Sequence, residues 1–354
     1  MSCTQRTSPY RNSHQWLGAP GKLAKATGRV LWVAALVFLQ GLMVSKAMAS
    51  TPASIQLEGY ADASGAISIV KNGTTADPYF ALQALLLAYD NGMDISAPAE
   101  KFIRWLLPFQ KPDGTFDRFC KRTPEGKWEA CKPADADDSL LALWMRLLEI
   151  KPALLAKEPL WAKSHAASKA ALKNLYQPSR GVYMVSPVVL HGLFMDNLEV
   201  WSLKASLGKT NSAESKALAE AINRTFWNPV NKQFTVSTQL EQGAQKPAFY
   251  PDSVAQIFPL LVDFPLLPKP SRAYYQEWMK SNRTDWLAQG ELDYPWGLLA
   301  VLAVRQGDKV TAGCWLRTVT SMRHSARWAV TDEVSLQILQ HRKIAPAAAG
   351  APCG

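Results

Sequence analysis

Six aspartates in this chain stand at the head of strongly apolar runs, where a carboxyl group can do chemistry as well as hold a helix. They open Asp77-Pro78-Tyr79-Phe80-Ala81-Leu82, Asp138-Ser139-Leu140-Leu141-Ala142-Leu143-Trp144, Asp196-Asn197-Leu198-Glu199-Val200-Trp201, Asp252-Ser253-Val254-Ala255-Gln256, Asp293-Tyr294-Pro295-Trp296-Gly297 and Asp332-Glu333-Val334-Ser335-Leu336, at intervals of 61, 58, 56, 41 and 39 residues. An aspartate suits a helix start because its oxygens accept from free first-turn amides and its charge opposes the positive end of the dipole. Capping alone does not ask for a Tyr, a Trp or a second acid beside so many of them, as at Tyr79, Asp137, Trp201, Tyr250, Tyr294, Trp296 and Glu333. An aromatic face stacks on the C–H face of a sugar ring, and a neighbouring carboxyl binds hydroxyls or moves protons. The pattern points to a polysaccharide partner, with Asp138, Asp137, Tyr79, Asp196, Glu199, Trp201, Tyr250, Asp293 and Trp296 as candidate contacts.

These residues need elements to carry them. The aspartate-led runs are apolar nearly all round, whereas residues 99–110, 158–176, 212–227, 271–281 and 309–324 read as helices with one polar face. Asn211 followed by Glu214 has the form of a capping-box start, and Ser271 of another cap. A helix apolar on every side must be surrounded, and an amphipathic one can face water. Their alternation predicts two concentric rings: an all-α, (α/α)6 toroid whose parallel inner helices present their starts to one funnel-shaped end. Strand signals are confined to short pieces at 68–70 and 234–237 and to small hairpins in the loops. The turn Pro112-Asp113-Gly114 leads into one such hairpin, where Cys120 and Cys131 flank a Glu-Gly turn and are expected to pair. That hairpin links an outer helix to an inner one, so it is a candidate wall of the cleft.

The first 49 residues hold six Lys or Arg and no acid, then an apolar run over 30–44 and the small-residue stretch Ala47-Met48-Ala49. This is a secretory signal with cleavage expected after Ala49, since the run falls short of the roughly 20 residues a spanning helix needs. The toroid is expected over 50–344, with 345–354 as a flexible tail. Removal of the signal turns a formal charge of +10 into thirty-three basic against twenty-nine acidic residues, or +4. With no block of like charge, the mature chain gives no case for nucleic acid, tolerates an acidic substrate, and is expected to be a monomer without membrane contact, in the periplasm or outside the cell. Four of five cysteines remain, so Cys314 and Cys353 form a possible second pair. Neither CxxC nor HExxH occurs, which leaves no motif calling for a metal or other cofactor.

The stretch Ala134-Asp135-Ala136-Asp137-Asp138-Ser139-Leu140-Leu141-Ala142-Leu143-Trp144 resembles the second inner helix of the six-hairpin glycosidases, nearest to the cellulase-type glycoside hydrolase family 8. Tyr250-Pro251-Asp252-Ser253-Val254-Ala255-Gln256 is similar to that family's later Tyr-Asp segment. The resemblance implies an inverting hydrolase in which Asp77 is the general acid, Asp138 binds the central sugar and Asp252 activates water, with acid and base roughly 6.5–9.5 Å apart. The family's first motif carries a glutamate between Ser and Gly, whereas this chain has Thr75-Ala76-Asp77-Pro78. A catalytic acid shortened by one methylene displaces its proton by about 1 Å, which costs on the order of 100-fold in rate.

Three other readings compete. Asp135-Ala136-Asp137-Asp138 also resembles the DxDD motif of class II terpene cyclases, and Gln110-Lys111-Pro112-Asp113-Gly114-Thr115-Phe116 resembles their Gln-to-Trp repeat, though it occurs once. A polysaccharide lyase would need a proton-abstracting Tyr or His and a basic neutraliser, parts for which Tyr250, His191 and Arg180 are available. A toroid without a competent acid would instead bind an exported polysaccharide and not cleave it.

Overall fold

A computed structural model of the protein describes residues 52–239, 247–290 and 292–353; the expected signal segment lies outside the described residues. Twelve α-helices run along them: α1 (Pro78–Asp90), α2 (Ser96–Leu106), α3 (Asp137–Glu149), α4 (Pro152–Lys157), α5 (Pro159–Asn174), α6 (Phe194–Ala205), α7 (Ala213–Phe226), α8 (Val254–Leu261), α9 (Ser271–Ala288), α10 (Gly297–Arg305), α11 (Lys309–Val319) and α12 (Val330–His341). Six of them close a ring: α1 packs on α3, α3 on α6, α6 on α8, α8 on α10, α10 on α12, and α12 returns to α1. Outside it, α5 packs against α3, α7 against α6, α9 against α8 and α11 against α10. The chain is thus a mostly helical toroid.

Burial explains the sorting. In α10 every residue from Gly297 to Ala303 is buried, while α7 buries only the stripe that includes Leu218, Ile222 and Phe226. The inner helices approach closely, and a Cβ at Gly297 would lie 2.7 Å from the Ser335 Cβ of α12, so only glycine lets α10 start there. Large side chains fill the space between rings: Trp144, Trp315 and Trp328 are fully buried, the last two stacked with centroids 5.9 Å apart.

The six aspartates do not all open their helices in the same way. Asp77 is a true N-cap, accepting from Tyr79 N at 3.0 Å ahead of a helix that begins with a proline. Asp138 is the second residue of α3, while Asp196 and Asp332 are the third residues of α6 and α12. Asp252 lies in a π-turn, Phe249–Ser253, and Asp293 lies upstream of the left-handed Trp296 that caps α10. Two caps sit one residue away from expectation. Ser212, not Asn211, caps α7, with its Oγ accepting from Ser215 N at 3.1 Å, and Pro270 rather than Ser271 precedes α9.

The strands are short. β1 (Thr75–Ala76), β2 (Asp117–Cys120) and β3 (Glu129–Pro133) form one antiparallel sheet, with Thr75 opposite Cys120 and Asp117 opposite Pro133. The Cys120–Cys131 disulfide ties β2 to β3. Because β1 runs into Asp77, this sheet sits at the start of α1. Two-stranded hairpins join β4 (Tyr176–Gln177) to β5 (Val182–Tyr183) and β6 (Trp227–Asn228) to β7 (Gln233–Phe234). The extended piece expected at 68–70 makes one bridge, Val70 to Ala329. The segment 345–353 lies along α11: Ala347 N donates to Gly313 O at 2.8 Å, Arg317 Nη1 to Ala348 O at 2.6 Å, and Cys353 is bonded to Cys314. Among the described residues, no helix is long and apolar enough to cross a membrane.

Candidate functional site

A cavity of about 380 Å³ opens where the inner helices start, and each of the six supplies part of its wall from its first two turns or the residues just before them. Asp77, Tyr79, Phe80 and Gln83 come from α1 and its cap, Ser139 and Leu140 from α3, and Met195 and Asp196 from α6. Tyr250 and Phe258 come from α8 and its approach, Asp293, Trp296 and Leu298 from α10 and its approach, and Thr331 and Asp332 from α12. The three-stranded sheet adds Arg118, whose guanidinium pairs with Asp135 at 2.8 Å and donates from Nε to Pro133 O at 2.9 Å.

The wall is amphipathic in the way a sugar requires. Tyr250 and Trp296 stack with ring centroids 5.2 Å apart and planes 27° from parallel, and the Trp296 indole N–H meets no acceptor among the described residues. Tyr294 meets Phe80 edge-on at 5.4 Å. Asp77 is buried to 5% exposure with one oxygen taken by Tyr79 N, and burial raises its pKa against the opposing charge of Arg118. A carboxyl with a raised pKa gives up its proton at higher pH than an ordinary one.

A second group of carboxyls lies behind this wall. Asp138 is fully buried, and among the described residues neither of its oxygens has a hydrogen bond of good geometry; burial, then the charges of Asp196 and Glu199, push its pKa far above the usual carboxylate range. Glu199 accepts from the Tyr79 hydroxyl at 3.0 Å, that hydroxyl accepts from Gln83 Nε2 at 3.0 Å, and the other Glu199 oxygen has no partner among the described residues. Burial raises Glu199 as well, with Asp196 adding to the effect. Asp196 bridges the two groups, lining the cavity with its carboxyl pushed up to about 7 by burial and then by Asp135. Asp332 also reaches the cavity, but both its oxygens brace the fold by accepting from Gly297 N at 2.7 Å and Ala329 N at 3.1 Å.

Of the residues picked from the sequence, Asp77, Tyr79, Asp196, Tyr250, Asp293 and Trp296 meet at the cavity, with Asp138 and Glu199 just behind it. Three do not join them. Trp201 is 2% exposed, donates its indole N–H to Ser215 O at 3.1 Å and packs edge-on against Phe264, so no sugar reaches it. Asp137 is not in the wall; burial pushes it up to about 6 against the charge of nearby Lys111. Asp252 accepts from Ala248 N at 2.8 Å and is likewise outside the wall.

The sequence missed Gln83, Arg118 and Asp135 as wall residues. Gln83 follows Tyr79 by one helical turn, a spacing that could have marked it; nothing in the sequence around Arg118 distinguishes it from other surface arginines. The alternative constellations do not assemble. Asp135 sits in the wall, Asp137 outside it and Asp138 behind it, while Gln110 braces its own turn by donating to Gly114 O at 2.8 Å. Arg180 lies in a groove apart from Tyr250. Among the described residues no group of three or more His, Cys, Asp or Glu is placed to hold a metal ion.

No protein-family model matches the sequence, and neither does any curated protein sequence. The fold does have relatives among solved structures. One is a novel alpha-amylase from Clostridium perfringens, 10% identical, with a TM-score of 0.56 over 80% of this chain and 95% of that one. Another is a mutant of Rex8A from Paenibacillus barcinonensis complexed with xylose, 13% identical, with a TM-score of 0.46 over 79% of this chain and 85% of that one.

Proposed function

We propose that the protein is an exported carbohydrate-active enzyme that hydrolyses glycosidic bonds of a polysaccharide, with Asp77 as proton donor. One observation carries this reading: the cavity gathers a side chain from all six inner helices and sets a buried carboxyl, Asp77, in the same wall as a stacked Tyr250–Trp296 pair. Burial keeps Asp77 protonated to higher pH, as a general acid requires, and the aromatic pair offers a face for a sugar ring. The fold shared with an alpha-amylase supports the reading, as do two disulfides, which persist where the surroundings are oxidising.

For an inverting reaction a second, ionised carboxylate must deliver water from the opposite face. The family resemblance nominates Asp252, on the approach to α8 across the ring from α1. The wall itself offers Asp293. The test is a screen of the purified protein against neutral and acidic polysaccharides, reading new reducing ends and near-ultraviolet absorbance together. Reducing ends without absorbance, lost on Asp77→Asn and on either Asp252→Asn or Asp293→Asn, establish the hydrolase and name its base. Absorbance from an unsaturated product would instead mean elimination.

A non-catalytic glycan-binding role is the second reading, supported by the hydrogen bond that holds Asp252 to Ala248 N and away from the wall. Glycan binding without turnover, unaffected by Asp252→Asn and Asp293→Asn, would replace the hydrolase with this one.

A further inference from the structure

A groove of about 720 Å³, larger than the central cavity and sharing no residue with it, runs between the outer helices α5 and α7. Its floor is apolar, made by buried Met145, Leu172, Leu218 and Tyr183. Its rim is strongly basic. Lys169 and Lys173 stand one turn apart on α5, Arg180 comes from the β4–β5 hairpin and Lys209 from the loop before α7, all exposed. None of these four makes an ion pair among the described residues. The two acids in the groove are already engaged: Glu149 with His165 at 2.9 Å, and Glu214 with Lys204. Tyr176 and Tyr183 meet at 5.3 Å along one side, and Tyr176 keeps 43% of its surface exposed.

A mature chain expected to carry only +4 has no reason to concentrate four cations without a close ion-pair partner over one apolar trough unless something anionic lies there. The volume is that of a ligand site. Exposed like charges held close repel one another, and a bound anion removes that repulsion. The apolar floor and the half-exposed Tyr176 ring add what a point-charge anion would not use, a surface for the C–H faces of sugar rings. Groove and cavity are also linked along the chain, because β5 runs on through Val185, whose carbonyl accepts from Asp137 N at 2.7 Å, to Leu193 in the cavity wall.

We infer that the α5–α7 groove is a second binding site for an anionic polysaccharide, one whose sugars carry carboxylates that pair with Lys169, Lys173, Arg180 and Lys209. The choice of a glycan over other polyanions rests on the proposed function of the cavity; the binding itself requires no cleavage.

The test is affinity electrophoresis of the full chain through gels holding polygalacturonate, dextran or no glycan, at two salt concentrations, with a single-stranded DNA 20-mer as competitor. Retardation by polygalacturonate but not dextran, weakened by salt, is expected. Lys169→Glu/Lys173→Glu/Arg180→Glu should weaken it about ten-fold or more. The milder Lys169→Gln/Lys173→Gln pair guards against misfolding and should weaken it in part, with the thermal melt unchanged. Equal retardation of wild type and both variants overturns the proposal, and so does displacement by DNA at lower charge concentration than by free polygalacturonate. Retardation lost in the variants by a protein that cleaves nothing keeps this site and removes only the hydrolase.

Discussion

The Tyr79 hydroxyl donates to Glu199 Oε1 across 3.0 Å, joining α1 to α6 immediately behind the cavity wall. Tyr79→Phe takes a donor from buried Glu199 and an acceptor from Gln83 Nε2, which should cost about 1–3 kcal/mol in urea unfolding. Glu199→Gln keeps an acceptor for the Tyr79 hydroxyl and exchanges the carboxyl O–H, the form that burial favours, for an amide NH2, so it should change stability by less than about 1 kcal/mol at pH 7. A Glu199→Gln variant as unstable as Tyr79→Phe would mean that Glu199 is ionised.

Asp196 has its pKa raised to about 7 in the folded protein, against about 3.9 in an unfolded chain. The native state therefore keeps a proton that the unfolded state releases, and the stability this provides is full below about pH 4 and is lost as pH rises through 7. Unfolding free energy of wild type relative to Asp196→Asn should fall between pH 4 and 8, by at most about 1.4 kcal/mol per pH unit. A difference that stays flat over that range would refute the assignment.

Replacing both cysteines of each disulfide with alanine should have unequal effects. Loop closure over 39 residues for Cys314–Cys353 corresponds to about 4 kcal/mol, and over 11 residues for Cys120–Cys131 to about 3 kcal/mol. Melts of the two double variants should rank in that order. The Cys314/Cys353 variant should also become sensitive to proteolysis after α12, because the segment is then held only by the packing of Ile344 and Ala347 and by hydrogen bonds such as those from Arg283 and Arg317.

Two tryptophans once read alike should behave differently. Trp296→Ala removes the partner of Tyr250 in the cavity and should lower glycan affinity about ten-fold while the protein remains folded. Trp201→Ala should instead lose about 3–5 kcal/mol of stability, since the ring lies in the core. Glycan titrations and melts on both variants separate the roles.

The ring of helices was legible because apolar residues on all sides admit only a surrounded helix, and the spacing of Asp77, Asp138 and Asp196 located three of its starts to within two residues. Which side chains face the hollow was less legible, because that depends on rotation about each helix axis. Along α6, Glu199 lies about 60° from Asp196 and shares its side, while Trp201 lies about 140° away and turns into the core. The place of Asp252 outside the wall has another cause. Tyr250 has extended backbone angles, φ −111° and ψ 130°, inside the turn before α8, and this irregular entry sets the carboxylate on Ala248 N.

Ring closure joins distant parts of the chain. Arg342 donates to Asn91 Oδ1 at 2.8 Å, and Gln337 exchanges two hydrogen bonds with the backbone of Gln56, at 2.8 and 2.7 Å. During synthesis from the N-terminus, α1 therefore waits for α12 with an apolar flank uncovered, and the circle shuts only once α12 itself has been made. The contact between the two ends of the ring is the longest-range one in it, so the stage most exposed to aggregation is the arc that has yet to meet its own beginning.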